Sequence, residues 1–307
     1  MRSYLRIHSP WSQLALLISL LGGAYVFTAL IIGSILSYKG VNIGDIKNFD
    51  YNDVKFVAVL KLVQGISTIT IFLLPALLFA RITFEFRQFH FLGFRKQEKI
   101  VFFLIAIALV ICSFPFAEWL GELNRHIPLT KGMIDSEKET TRQMQAFLKM
   151  NNSTDIIINI LMVALLPAIC EEVFFRGCLQ RVLIYIFKSP WIGITVTAAL
   201  FSAFHMQFEG FLPRMFLGVL LGALFWYSNS LWPNIVAHFV FNAIQVIAVI
   251  YYPEMVDENN ISLPIYWALI SGAIVIGLIF FLRKQSTVTY AKVYEMEKAS
   301  EYDGFPS

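Results

Sequence analysis

The chain has 307 residues, 57% of them hydrophobic and only 15% charged, against about 25% charged in an average globular domain. That balance excludes an ordinary soluble protein. A net charge of +3 from scattered basic residues excludes a nucleic-acid surface. Three cysteines, Cys112, Cys170 and Cys178, all in apolar runs, exclude a disulfide framework and a Cys-rich metal site.

Roughly 20 apolar residues span a bilayer, and eight runs qualify as candidates: about 12–37, 54–80, 99–120, 155–187, 191–208, 211–228, 231–252 and 264–282. The fifth is short. The segment before the first run carries Arg2 and Arg6, and the run itself is too long for a signal-peptide core, so a retained first span is expected. Pro115, Pro167 and Pro213 fall within or at the start of spans, where neighbouring helices can satisfy the freed carbonyls. Between the third and fourth runs, Ile134–Met150 is polar, with Met144, Phe147 and Leu148 on one stripe. It reads equally as an amphipathic helix at the outer interface or as a solvated helix on the bundle. No internal repeat is visible.

Basic residues orient the bundle by the positive-inside rule. Arg2 and Arg6 precede the first run; Arg81, Arg87, Arg95, Lys96 and Lys99 lie in the second connection; Arg181 and Lys188 close the fourth run; Arg283-Lys284 follow the last. The connection Glu254–Glu258 on the opposite side has no Lys or Arg. The expectation is an all-α polytopic membrane protein with about eight transmembrane helices. The bundle covers 1–285, with a mobile cytoplasmic tail at 286–307. The protein would be multi-pass in the plasma (inner) membrane, with both termini cytoplasmic.

The run around 155–187 is interrupted by Cys170-Glu171-Glu172-Val-Phe-Phe-Arg176-Gly177. At a bilayer centre each such charge costs about 2.5–3.5 kcal/mol on insertion scales unless paired or facing a polar cavity. Glu172 and Arg176 are four apart with the acid first, the better order for a helical ion pair. Glu171 is turned about 100° away and is left needing another partner. Two histidines also fall in spans, His205 and His238, and Asn242 lies four residues after His238 on the same helical face.

These groups suggest water chemistry. A glutamate and a histidine sharing a water can take a proton from it. A second histidine with an asparagine amide can donate to the oxyanion that forms on a carbonyl. No G-x-S-x-G elbow or activated cysteine offers a covalent nucleophile. Zinc held by His205, His238 and Glu171 fits two-histidine, one-carboxylate chemistry with an open position. The H-E-x-x-H signature is absent, however, and no cofactor is expected.

Glu171-Glu172-x-x-x-Arg176, Phe201-x-x-x-His205 and His238-x-x-x-Asn242, in that order in successive spans over about 155–245, resemble the CPBP (Abi) family. That family comprises CAAX prenyl endoproteases and bacteriocin-processing or immunity proteins. The resemblance implies an eight-helix CAAX-protease-like bundle with its catalytic core at about 155–245. It implies that Glu171 and His205 activate water, that His238 and Asn242 form the oxyanion hole, and that Glu172 and Arg176 are the supporting pair. The expected activity is intramembrane endoproteolysis of a hydrophobic or lipidated peptide or protein in the bilayer, with no nucleic acid involved. The alternatives are a non-enzymatic self-immunity or scaffold protein of the same fold and, from another class, a proton-coupled transporter. Against the transporter, no inverted repeat or matched pair of broken helices occurs.

Counting about 1.5 Å per residue along straight helices places His238 and Asn242 about 10–17 Å from the cytoplasmic end of their run. His205 then lies about 21 Å deep and Glu171 about 24 Å deep, so the cavity is expected to open to the cytoplasm.

Overall fold

The computed structural model describes residues 6–39, 51–84, 88–97, 99–150, 152–251 and 263–295. The positions Arg2, Arg87 and Glu254–Glu258 used for orientation lie outside them. In chain order the helices are α1 (Pro10–Tyr38), α2 (Val54–Thr83), α3 (Gln88–Leu92), α4 (Val101–Arg125), α5 (Lys131–Leu148), α6 (Ser153–Phe187), α7 (Pro190–Phe204), α8 (Phe211–Ser228), α9 (Leu231–Tyr251) and α10 (Ile265–Gln285). A last π-helical turn follows at Ala291–Glu295. The fold is an all-α polytopic membrane bundle.

Among the described residues seven helices are long and apolar enough to cross a membrane: α1, α2, α4, α6, α8, α9 and α10. The eighth expected span is α7, which stops after 15 residues. At about 1.5 Å per residue it covers about 22 Å of a hydrocarbon slab about 30 Å thick. The sequence reading carried this span to residue 208, but the chain leaves the helix at Phe204 and turns through residues 205–210.

The prolines are accommodated by two devices. In α2 and α6, Pro75 and Pro167 each sit just after a π-helical stretch, Ile69–Leu73 and Ile160–Leu165 respectively. A wider turn moves the carbonyl that a proline ring would otherwise strike. In α4, Pro115 opens the hydrogen-bond ladder and Ser271 of α10 enters it. The Ser271 hydroxyl accepts from the Phe116 N–H (3.2 Å) and donates to the Cys112 carbonyl (2.5 Å), which is the satisfaction by a neighbouring helix expected for a membrane proline.

Close helix contacts depend on small residues, as is common without a hydrophobic driving force between helices. A Cβ built on Gly218 of α8 would lie 2.9 Å from the Cβ of Ala198 in α7. One apolar cluster joins α1, α2, α3 and the second half of α6, and another joins α4, α8, α9 and α10. In α6 every residue from Cys170 to Ile184 is buried.

The amphipathic segment forms α5, capped by the Thr130 hydroxyl on the Met133 N–H. It packs onto the bundle: Phe147 and Leu148 are buried, and the Asn159 amide donates to the Phe147 carbonyl (2.8 Å). The described start of the C-terminal segment also docks. Tyr294 is buried, stacks on Tyr185 at 5.4 Å and donates to the Arg181 carbonyl (2.9 Å). Arg181, counted in the sequence among the topogenic charges, is itself buried, donating to the Phe91 carbonyl with its guanidinium over the Phe91 ring.

Candidate active site

The glutamate pair lies near the middle of α6, where α7, α8 and α9 surround it. Just after Glu172 the helix widens into a π-helical stretch, Val173–Gln180, a departure often found at functional sites. The expected ion pair is present: Arg176 Nη1 lies 2.7 Å from Glu172 Oε1, and both side chains are fully buried. The guanidinium also donates to the Gly218 carbonyl (3.3 Å) and lies 4.7 Å from the centre of the Phe201 ring.

Glu172 gathers further donors. The amide of Asn234 donates to Oε2 (3.1 Å) and to the Leu221 carbonyl (2.6 Å). His238 Nδ1 lies 2.9 Å from Oε1. A carboxylate already accepting from arginine and an amide can only accept again, so Nδ1 carries the proton. With Nδ1 engaged on Glu172, it is Nε2 of His238 that faces Glu171.

Glu171 is the opposite case. It is buried, its Oε2 has no hydrogen-bond partner, and that oxygen lies 3.9 Å from His238 Nε2. A buried carboxylate oxygen without a donor is costly and is a common mark of a working group. The two adjacent glutamates are thus divided, Glu172 satisfied three times over and Glu171 left open.

His205 stands just past the end of α7, on the exposed side. Its Nδ1 lies 2.9 Å from the Phe201 carbonyl. A carbonyl only accepts, so here too the proton is on Nδ1 and the Nε2 lone pair is free. The Phe201 ring separates the histidines, with its centre 4.9 Å from the His205 ring and 5.9 Å from that of His238. Asn242 is half-buried one turn beyond His238, and its amide forms no hydrogen bond among the described residues. The structure brings Glu171, Glu172, Arg176 and His238 together in one cluster. His205 joins it across Phe201, and Asn242 sits at its rim.

The end of α9 nearest Leu231, which holds Asn234 and Ala237, is the end expected to face a cytoplasmic opening. Both are buried, and exposure rises in the other direction along α9, from Asn234 at 0% through His238 at 3% to half-buried Asn242. The polar seam is closed at the Leu231 end and opens towards α5. Among the described residues no three His, Cys, Asp or Glu side chains are grouped so as to hold a metal ion.

Sequence reasoning missed Asn234 as a partner of Glu172, although the signal was present: Asn234, His238 and Asn242 recur at four-residue spacing on one helical face. It also missed the Phe201 ring as the spacer between the histidines, and Asn124 and Glu137, which bind the turn after His205.

No curated protein and no solved structure matches the chain. A family model described as type II CAAX prenyl endopeptidase Rce1-like matches residues 153–244, from the first turn of α6 to just past Asn242. The segment that builds this cluster is thus similar to the CAAX prenyl protease-like (CPBP) family.

Proposed function

We propose that the protein is an intramembrane endopeptidase that hydrolyses a peptide bond of a hydrophobic or lipidated substrate with water. The observation that carries this reading is the division of the glutamate pair, with Glu171 Oε2 buried, unbonded and 3.9 Å from His238 Nε2. Support comes from the Rce1-like match over the same residues.

Glu171 and the Nε2 of His205 are both acceptors, suited to hold the two protons of one water. Glu171 takes a proton as the water oxygen bonds to the carbonyl carbon. General-base help of this kind is worth about 10²–10⁴-fold. The developing oxyanion meets the Asn242 amide and, when its ring carries both protons, His238 Nε2–H. One such donor is worth about 10²–10³-fold. As the C–N bond breaks, the proton held by Glu171 passes to the leaving amine, the free carboxylic acid and amine separate, and Glu171 is an open carboxylate again. Glu172, fixed by Arg176 and Asn234, orients His238. The chemistry uses no cofactor. The protein sits in the plasma membrane with both termini cytoplasmic, the orientation its basic residues favour.

The test uses the purified protein in proteoliposomes with quenched peptides carrying an S-farnesyl or S-acyl cysteine, or no lipid. Hydrolysis that vanishes in Glu171→Gln while the melting temperature is kept supports the reading. Equal hydrolysis by wild type and Glu171→Gln refutes it. Tight peptide binding with no turnover in either protein would instead favour a non-enzymatic immunity or scaffold role.

A further inference from the structure

The short α7 creates a structural demand that one residue outside the membrane spans helps to meet. Because α7 ends about 22 Å along, residues 205–210 run as non-helical backbone at membrane depth. Such backbone is tolerated only where protein or a water-filled cavity satisfies it. Met206 adds to the demand, with φ +53° and its side chain exposed. A bulky residue in the left-handed region persists only where its surroundings hold it.

The turn is held by four side chains. Asn124, buried in the last turn of α4, donates to the Phe208 carbonyl (2.7 Å) and accepts from the Leu212 N–H (2.8 Å). Ser202 donates to the Phe211 carbonyl (2.7 Å). Arg214 grips Gln207 through both its backbone carbonyl and its side chain. Glu137 Oε1 accepts from two successive N–H groups, those of Phe208 and of Glu209 (3.1 Å). Three of these residues belong to α4, α7 and α8. Glu137 belongs to α5, which spans no membrane and is itself fastened at its far end by Asn159 on the Phe147 carbonyl and, two residues from Glu137, by the Tyr51–Glu139 hydrogen bond.

We infer that Glu137 is a positioning residue for His205, and that α5 is a clasp fixing the His205 turn from the membrane surface. The inference rests on the proposed hydrolytic role of His205. Holding two consecutive N–H groups sets where the chain can go three residues after His205, and so where its Nε2 lies relative to Glu171. A shift of about 1 Å in such a group costs on the order of 100-fold in rate.

The test uses the full chain in proteoliposomes, the S-farnesyl-cysteine quenched peptide, and amide hydrogen exchange read by mass spectrometry. In Glu137→Ala, kcat should fall by about tenfold or more with KM little changed, and exchange across residues 206–210 should rise by about tenfold. Glu137→Gln keeps an oxygen that accepts both N–H groups, so it should retain most of the wild-type kcat and protection. His205→Ala separates the two claims. If it hydrolyses like wild type, the role of His205 fails, whatever Glu137 does. If it is inactive while Glu137→Ala keeps wild-type kcat and exchange, the inference is overturned. A raised KM with kcat intact would also overturn it, since α5 would then contact substrate. If Glu137→Ala does not fold, loss of kcat and protection in Glu137→Asp, whose carboxylate falls one methylene short, with both kept in Glu137→Gln, supports the clasp. Wild-type values in Glu137→Asp refute it.

Discussion

His238 Nδ1 meets Glu172 Oε1 at 2.9 Å, and Arg176 Nη1 meets the same oxygen at 2.7 Å. One carboxylate oxygen therefore ties the arginine to the histidine and decides which ring nitrogen faces Glu171. This links the buried ion pair through His238 to the open oxygen of Glu171.

The glutamates should respond to mutation in opposite ways. Glu172→Gln or Arg176→Ala strands a buried charge, at a cost of about 3–5 kcal/mol, so thermal unfolding of the purified protein should shift well down and activity should fall with it. Glu171→Gln removes a charge that has no donor on its Oε2, so the melting temperature should hold or rise while hydrolysis is lost. A Glu172→Gln variant with wild-type melting and activity would break the assignment.

Asn234 should matter as much as the family motif residues. Its amide serves Glu172 Oε2 and the Leu221 carbonyl at once. Asn234→Leu leaves both acceptors buried without a donor, at about 1–3 kcal/mol, and loosens the carboxylate that orients His238. Asn234→Asp should be worse, because it sets a second carboxylate against Glu172. Both should lower the melting temperature and kcat; an Asn234→Leu protein indistinguishable from wild type would remove Asn234 from the site.

Legibility in the sequence followed the range of each interaction. The spans were legible because hydropathy is local, and the Glu172–Arg176 pair because helix geometry sets the i,i+4 distance. The division of labour between Glu171 and Glu172 was half legible: periodicity showed that they diverge, but the donors to Glu172 come from α9, 62 and 66 residues away. The end of α7 was not legible, since Phe204-His205-Met206 carries no helix-breaking residue and the turn is imposed by Asn124, Glu137 and Arg214 from elsewhere in the fold. The direction of the opening is not legible for the same reason, because it depends on how helices pack rather than on where each begins.

Metal removal should leave activity intact. On the proposed mechanism water activation by Glu171 and His205 needs no ion, so exhaustive chelation should not slow hydrolysis, and the active protein should hold far less than one equivalent of zinc. Loss of activity with a chelator, restored by zinc alone, would convert Glu171, His205 and His238 into ligands and replace the proposed mechanism.

The side from which substrate enters follows from two features at opposite ends of the bundle. At one end, the backbone and side-chain links Arg6 to Thr83, Lys99 to Gln285, Gln97 to Ser228 and Leu231 to Gly93 gather the helix ends that carry Arg81, Arg95, Lys96, Lys188 and Arg283. That is the end the positive-inside rule puts in the cytoplasm. The seam is closed there, with Asn234, Ala237 and Arg176 at 0–1% exposure, whereas Met206 beside His205 is 61% exposed at the α5 end. A peptide should therefore approach from the α5 side, which this orientation makes extracytoplasmic. Cysteine labelling with a membrane-impermeant maleimide, on a background free of Cys112, Cys170 and Cys178, reads this directly. Met206→Cys should label on right-side-out vesicles, and Asn234→Cys and Ala237→Cys on neither right-side-out nor inverted vesicles. Labelling of Met206→Cys on inverted vesicles only would reverse the orientation while keeping the mouth at α5. Labelling of Asn234→Cys with Met206→Cys protected would move the mouth to the basic end and restore the cytoplasmic entry that helix counting had suggested.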